Sequence, residues 1–255
     1  MQTCPYIGVT GFTDRQQVIE AFFHVPDNAH RRLMVGVLAS YKSLRRLPMR
    51  EQWAKQTPPS DELHSIFFEH PQVLNLIHYS ADIFVDKELC DDLLALAHHA
   101  GSVLHGFQLN IVWPSSIALR DFHRFVRKQK LSVVLQINHG SIALAGGTPV
   151  AIVEKLRRYE GLIQHLLVDA SGGLGKALNV SWAQLYLRAF RDAQLPFALG
   201  VAGGFGPNSM EPIKELLAEF PDLSWDAQGR LRDKDHRLNP ILAGEYLDLS
   251  YALAR

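Results

Sequence analysis

The sequence predicts a single (β/α)8 TIM barrel over residues 1–255, and three observations lead to this fold class. Short apolar runs alternate with longer amphipathic segments along the whole chain. The short runs are almost continuously apolar, as expected for strands of a parallel sheet that is covered on both faces. Eight such strand–helix units fit one barrel of this length. The rival architecture, an open doubly wound sheet, usually carries its glycine-rich loop after the first strand, whereas here these loops come late.

The predicted strands follow from apolar runs rich in Val, Ile and Leu. They cover residues 5–10, 33–39, 73–79, 104–112, 131–137, 166–170, 197–201 and 223–227. The predicted helices place apolar residues at i, i+3, i+4 and i+7. They cover residues 14–24, 86–99, 115–130, 148–159, 181–193, 208–219 and 240–254.

Local signals mark the starts of these helices. Thr13 is a suitable N-cap for the first one. Pro114, Pro149 and Pro207 stand at or just before helix starts, where the missing N–H costs little. The segment 47–71, after the second strand, is long for a strand–helix connection, and we interpret it as a lid or a decorated helix.

Composition excludes several classes of protein. Lys+Arg and Asp+Glu both number 26, which argues against a duplex nucleic-acid binder and a polybasic membrane-surface protein. No apolar run approaches the roughly 18 residues of a transmembrane helix. The N-terminus has no signal-peptide pattern, and two cysteines are too few for a disulfide framework, so we expect a cytoplasmic location. The 12 histidines show no metal-ligand spacing, and we predict neither a metal nor a cofactor.

Three glycine-containing loops follow consecutive predicted strands. They read DASGGLGK from residue 169, AGGFGPN from residue 202 and DAQG from residue 226. Glycines let the backbone approach a ligand, and successive N–H groups form an anion cradle. Pro207-Asn208 is expected to open a helix whose N-terminal dipole adds to this cradle. Because the loops after strands seven and eight commonly hold phosphate in barrels, we predict a phosphate site, although tight turns alone would also use these glycines.

Together with two further motifs, these loops resemble phosphoribosylanthranilate isomerase. The family has Asp followed by GGTGK, AGGL followed by Asn, and D-x-S-S-G, where this chain has DASGGLGK, VAGGFGPNSM and SWDAQGRLRD. GVLASYKSLRRL is similar to the family's KSPR loop, with Lys42, Ser43 and Arg45 matching. FQLN stands for the family's QLHG, so that Gln108 matches and Asn110 replaces a histidine. The motifs keep their order from residue 7 to residue 229.

The resemblance implies a barrel that binds a phosphorylated pentose and catalyses an Amadori rearrangement related to tryptophan biosynthesis. Asp169 would be the general acid that protonates the ring oxygen, and Arg45 would bind a substrate carboxylate. Lys42, Gln108 and Asn110 would contribute to substrate binding. The phosphate would lie against Gly173, Gly175, Gly203, Gly204 and Gly229. The resemblance gives Asp226 a structural role.

The first strand departs from the family pattern. Gly8-Val9-Thr10-Gly11 replaces K-x-C-G, so Thr10 stands where the family has its catalytic cysteine, the base that removes the C2 proton. A threonine hydroxyl needs a base of its own, and loss of base catalysis would cost about 10²–10⁴-fold in rate. Cys4 cannot substitute, because it lies roughly 20 Å away toward the other end of the barrel.

Other groups are considered as the missing base. His139, after the fifth strand, is the first candidate because an imidazole titrates at a pKa of about 6.5, and His78 is a weaker one. An enzyme would need a group with a pKa of about 6–8 close to Asp169.

Two hypotheses therefore remain open. The chain is an isomerase or related sugar-phosphate enzyme, of different or weakened activity, that uses Asp169 with His139 or acts on a substrate that needs no strong base. Alternatively, it is a non-catalytic phosphosugar-binding sensor or partner protein. A paralogue with no specific ligand is a third interpretation, which the intact glycine loops disfavour. The aglycone, the pathway and the oligomeric state are not predicted.

Overall fold

The computed structural model describes residues 4–81, 88–169 and 177–254. Within these ranges, eight parallel strands close into a barrel in chain order, and β1 pairs with β8. The strands are β1 Tyr6–Thr10, β2 Arg32–Ser40, β3 Val73–Ser80, β4 Gly106–Asn110, β5 Ser132–Asn138, β6 His165–Asp169, β7 Ala198–Ala202 and β8 Ser224–Ala227. All eight predicted strands are found within a few residues of their expected ends, and the TIM-barrel prediction is confirmed.

Eleven α-helices lie in the part of the chain that the structure describes. They are α1 Arg15–Phe22, α2 Tyr41–Leu44, α3 Glu51–Ala54, α4 Leu63–Ile66, α5 Leu89–Ala100, α6 Ser116–Phe125, α7 His139–Leu144, α8 Pro149–Leu156, α9 Val180–Asp192, α10 Glu211–Leu217 and α11 Pro240–Leu253. Three of the short helices (α2, α3 and α4) belong to the connection between β2 and β3, which includes the segment 47–71. None of the described helices is long and apolar enough to cross a membrane.

Within the described residues, two helix starts differ from the sequence prediction, while the start predicted at residue 86 lies outside them. Asp14, rather than Thr13, is the N-cap of α1, because its carboxylate accepts the backbone N–H of Gln17 at 2.9 Å. The helix expected from residue 208 begins only at Glu211. The hydroxyl of Ser209 donates to the carbonyl oxygens of Gly204 and Gly206, which holds this stretch as a turn. The prediction that Pro207-Asn208 opens a helix is therefore wrong.

The strands have two faces with different contents. Outward residues pack against the helices in one large apolar core. Inward residues alternate with them, and the lower barrel interior is filled by a small apolar cluster. This cluster consists of Tyr6, Met34, Leu74, Leu76, Val134 and Leu167.

Polar side chains replace apolar ones toward the carboxyl ends of the same inward rows. Two residues beyond Leu76, Val134 and Leu167 come His78, Gln136 and Asp169, respectively. Since side chains two apart on a strand share a face, these polar groups also point into the barrel. The barrel floor is thus apolar and its mouth is polar, which creates the candidate site.

Candidate functional site

A cavity of about 490 Å³ opens at the carboxyl ends of the strands. This size is typical of a small-molecule site. The strand ends and their following loops contribute His78, Ser80, Gln108, Asn110, Gln136, Asp169, Gly203, Gly204, Asp226, Gln228 and Gly229. The connection after β2 supplies the opposite wall with Tyr41, Lys42, Met49, Arg50, Trp53 and Thr57.

Two buried carboxyl groups lie at the same level of this cavity. Asp169 is 1% exposed and Asp226 is 5% exposed. The strand register aligns Asp169 with Ala202 on β7, and Ala202 with Asp226. The two backbones are therefore two strand spacings apart, roughly 10 Å, and both side chains line the same cavity.

Asp226 is held by a hydroxyl and an amide. The Thr10 hydroxyl donates to Oδ1 and Oδ2 at 3.0 and 3.1 Å, and the Gln108 Nε2 donates to Oδ2 at 3.1 Å. Burial raises the pKa of Asp226 from 3.8 to about 7, the two hydrogen bonds oppose this change, and the negative charge of Asp169 adds to it. Asp226 is thus a group near Asp169 that titrates in the range expected for an enzyme of this type.

Asp169 likewise accepts a hydrogen bond from a side chain of the neighbouring strand, β5. The Gln136 Nε2 donates to its Oδ2 at 2.6 Å. The loop that follows Asp169 includes Gly173 and Gly175, and both lie outside the described residues. The structure therefore describes the predicted general acid but only part of the predicted phosphate loops.

Thr10 does not line the cavity, although it occupies the position of the family cysteine. Its side chain is fully buried, and its hydroxyl is used by Asp226. The Arg232 guanidinium donates to the backbone carbonyls of Thr10 and Gly11, and so lies across the end of β1. Thr10 is thus a partner of Asp226, with no access to the cavity.

The predicted phosphate-binding glycines that follow β7 and β8, Gly203, Gly204 and Gly229, line the cavity. Gly203 and Gly204 have positive φ values of 154° and 63°, which favour glycine. A Cβ on Gly203 would also come within 3.2 Å of Leu178. The loop is stabilised from behind by Ser209, so its backbone conformation is set before a ligand arrives.

The KSLRR motif divides between the cavity and the outer surface of the barrel. Lys42 lines the cavity, together with Gln108 and Asn110. Arg45 does not, because its guanidinium binds Asp92 of α5 at 2.7 and 2.9 Å and also contacts Glu88. The structure therefore does not bring Arg45 to the other predicted site residues.

Neither histidine considered as a base suits that role. His139 is exposed at the start of α7, with its ring 5.3 Å from that of Trp182, and it is not among the residues lining the cavity. His78 does line the cavity, but burial lowers its pKa to about 4, so its imidazole is neutral at physiological pH and weakly basic.

The sequence did not single out Gln136, Arg50 or Trp53 as site residues, and the family resemblance gave Asp226 only a structural role. Gln136 could have been found from its position, since it shares the inward row of β5 near the strand's carboxyl end. Arg50 and Trp53 carry no such signal, because their positions depend on how the β2–β3 connection folds back over the barrel. Among the described residues, no group of three His, Cys, Asp or Glu side chains could hold a metal ion.

Comparisons with known proteins support the fold. No family model matches the chain, and no curated protein matches it. The carboxyl transferase domain of Rhizobium etli pyruvate carboxylase, solved with 3-bromopyruvate, superposes with a TM-score of 0.58 at 10% identity, over 99% of this chain and 47% of that one. The chain thus spans about half the length of those transferase structures. 3-Hexulose-6-phosphate synthase from Salmonella typhimurium gives a TM-score of 0.57 at 12% identity, over 97% of this chain and 99% of that one. At these identities, the similarity shows a TIM barrel.

Proposed function

We propose that this barrel is a sugar-phosphate isomerase of the phosphoribosylanthranilate isomerase type. The observation that carries the proposal is a single cavity in which two buried carboxyl groups lie beside glycine loops. Barrel enzymes place their chemistry at this end, and the loops after strands seven and eight commonly bind phosphate. The name of one structural neighbour, 3-hexulose-6-phosphate synthase, also refers to a phosphosugar.

The reaction needs an acid and a base on one bound sugar. Asp169 donates a proton to the ring oxygen, the bond from C1 to this oxygen breaks, and the sugar opens to a Schiff base. A base then removes the C2 proton. The backbone of Gly203, Gly204 and Gly229 holds the phosphate, and the reaction uses proton transfer without a cofactor. We place it in the cytoplasm and relate it to tryptophan biosynthesis through the family resemblance.

A phosphosugar-binding protein without turnover is the second candidate. One observation favours it: Thr10, at the position of the family's base, and His139 do not line the cavity, and burial leaves His78 weakly basic. Binding alone needs the glycine loops and a cation such as Lys42. The two candidates make the same prediction for ligand affinity and opposite predictions for turnover.

The phosphate site is tested first by binding of ribose 5-phosphate, measured by calorimetry. Gly204→Glu places a carboxylate in the loop, and we expect it to weaken binding at least 10-fold through charge repulsion. Gly161→Glu is the matched control, because Gly161 also has a positive φ, 80°, but precedes β6 at the opposite end of the barrel. Equal affinities in both variants would refute the phosphate site for both candidate functions.

Catalysis is tested by steady-state isomerisation of phosphoribosylanthranilate. We expect turnover by the native protein and a loss of about 10²–10⁴-fold in Asp169→Asn, which cannot donate the proton. Undiminished turnover in Asp169→Asn would remove Asp169 as the acid. Binding of ribose 5-phosphate without turnover in the native protein would favour the non-catalytic candidate.

A further inference from the structure

The general base is the missing part of this site, because the strand-one cysteine of the family is absent. Thr10 cannot fill the role: it is fully buried, and its hydroxyl hydrogen is directed to Asp226. These same contacts show where the base function can reside. The Asp226 oxygens are 3.0 and 3.1 Å from the Thr10 Oγ1, and Asp226 itself lines the cavity.

We infer that Asp226 is the general base of the proposed reaction, with Thr10 and Gln108 as its positioning residues. The inference rests on the proposed function and adds to it the group that removes the carbon-bound proton. It moves this role from β1 to the adjacent β8, which closes the barrel against β1.

Two side chains from different strands fix the Asp226 carboxylate. Thr10 extends from β1 and Gln108 from β4, and each donates a hydrogen bond to it. Gln108 is in turn 3.4 Å from the His78 Nδ1, and the depressed pKa keeps that imidazole neutral. A carboxylate held from two sides is preorganised to face one ligand atom.

The charged and titratable groups around Asp226 favour a base that works near neutral pH. An ionised Asp169 repels the negative charge of Asp226 across the cavity, whereas the protonated Asp169 that serves as the acid does not, and Arg232 attracts that charge from the loop after β8. Tyr6 and Tyr246 also lie near it, and burial and Asp226 itself raise their pKa values, so both remain neutral. Burial affects the pKa of Asp226 more than any of these described groups does, and it raises this pKa to about 7.

The proton balance of the step is simple. Asp226 takes the proton from C2 of the Schiff base, and the electrons of that C–H bond form a double bond between C2 and C1. The electrons of the C1–nitrogen double bond return to the nitrogen and neutralise its positive charge. The resulting enol then gains a proton at C1 and loses its hydroxyl proton, which gives the ketose. No electron donor or acceptor is required.

The decisive experiment measures two properties of the full chain: phosphoribosylanthranilate isomerisation, and solvent deuterium incorporation at C2 of ribose 5-phosphate by NMR. Asp226→Asn is expected to reduce both rates about 10²–10⁴-fold, with binding of ribose 5-phosphate retained. Asp222→Asn is the matched control, because it makes the same change just before β8 at the other end of the barrel. It should leave both rates unchanged.

The positioning role of Thr10 has its own readout. In the native protein, the rising limb of kcat/KM against pH should have its midpoint near pH 7, since the base must be deprotonated. Thr10→Val removes a hydrogen bond that stabilises the carboxylate, so the midpoint of this limb should move to higher pH. Thr10→Cys should not accelerate the reaction, because the thiol would be buried away from the cavity.

The outcomes separate this inference from the proposed function. If the native protein isomerises the substrate or exchanges deuterium, and Asp226→Asn does so equally well, Asp226 is not the base while the isomerase proposal stands. An unchanged pH midpoint in Thr10→Val would refute the positioning role of Thr10. If the native protein shows neither turnover nor exchange, the proposed function and this inference are both wrong.

Discussion

Burial in a barrel interior disfavours the ionised form of a carboxyl group and so raises its pKa. Asp226 is almost completely buried, and its hydrogen bonds from Thr10 and Gln108 offset only part of the lost hydration. The same burial that makes it a stronger base therefore makes it a source of instability. Because the free energy of unfolding of a protein is small, the destabilisation caused by one such group is measurable.

We predict that Asp226→Asn stabilises the protein at high pH. The folded pKa of Asp226, about 7, lies above the ordinary value of 3.8, so the folded state retains a proton that the unfolded chain releases. The free energy of unfolding should therefore fall as pH rises from about 4 to 7 and stay reduced above that, by up to about 4 kcal/mol. Asparagine removes this ionisation.

Urea unfolding at pH 5 and pH 8 measures this effect. Asp226→Asn should exceed the native protein in stability by about 1–4 kcal/mol at pH 8, and by clearly less at pH 5. Asp222→Asn, an exposed position, should show no such pH-dependent difference. An advantage of the same size at both pH values would contradict the raised pKa.

At the scale of elements, the connection after β2 decides which cations face the ligand. Its first part, α2, is attached to α5 by the ion pair between Arg45 and Asp92. Asp92 also accepts a hydrogen bond from the Tyr79 hydroxyl at 2.5 Å. Its second part folds back over the mouth and brings Arg50 into the cavity wall. Gln228 of the β8 loop donates to Gln56 at 3.2 Å and holds this part in place.

We expect opposite effects from two arginine substitutions in this connection. Arg45→Ala leaves the buried Asp92 carboxylate without its cation and should destabilise the fold by about 1–3 kcal/mol, with ribose 5-phosphate affinity within about 2-fold of native. Arg50→Ala should weaken that affinity by about 3–10-fold and leave stability nearly unchanged.

Calorimetric titration and thermal unfolding of both variants check this prediction. The role that the sequence resemblance gives to Arg45, binding of a substrate carboxylate, requires the reverse for a carboxylate-bearing ligand. A large loss of phosphoribosylanthranilate affinity in Arg45→Ala, with unchanged stability, would favour that role over the ion pair.

At the scale of the molecule, closure of the sheet joins the two ends of the chain. β1 pairs with β8, and α11 packs against α1 and β1. A local opening of either end would expose paired strands and separate Thr10 from Asp226. The site and the closure of the barrel therefore depend on the same contacts.

We predict that the chain unfolds in one cooperative transition, as expected of the single domain proposed from the sequence. Far-ultraviolet circular dichroism, which reports helices, and the fluorescence of Trp225, which is buried beneath α11, should give coincident urea midpoints. The other three tryptophans are replaced by phenylalanine for this measurement. Separate midpoints would show that part of the barrel unfolds independently.

Local sequence patterns determined the elements of this protein. Apolar runs located all eight strands, and loop glycines marked the end of the barrel where the cavity lies. Such features are readable because strand burial and positive φ depend on residues close in the chain. The helix start at residue 211 was misjudged, because a serine hydroxyl bonded to two loop carbonyls is not visible in an apolar pattern.

Only the tertiary structure decided the roles of the polar residues. Asp226 meets Thr10 and Gln108 across 216 and 118 residues of chain, respectively, and Arg45 meets Asp92 across 47. Desolvation and hydrogen bonding depend on what surrounds a group in space. The sequence alone therefore placed Asp169, Gly203, Gly204 and Gly229 at the strand ends where the cavity lies. Barrel closure turned Asp226 into a buried group that titrates near neutral pH and made Thr10 its support.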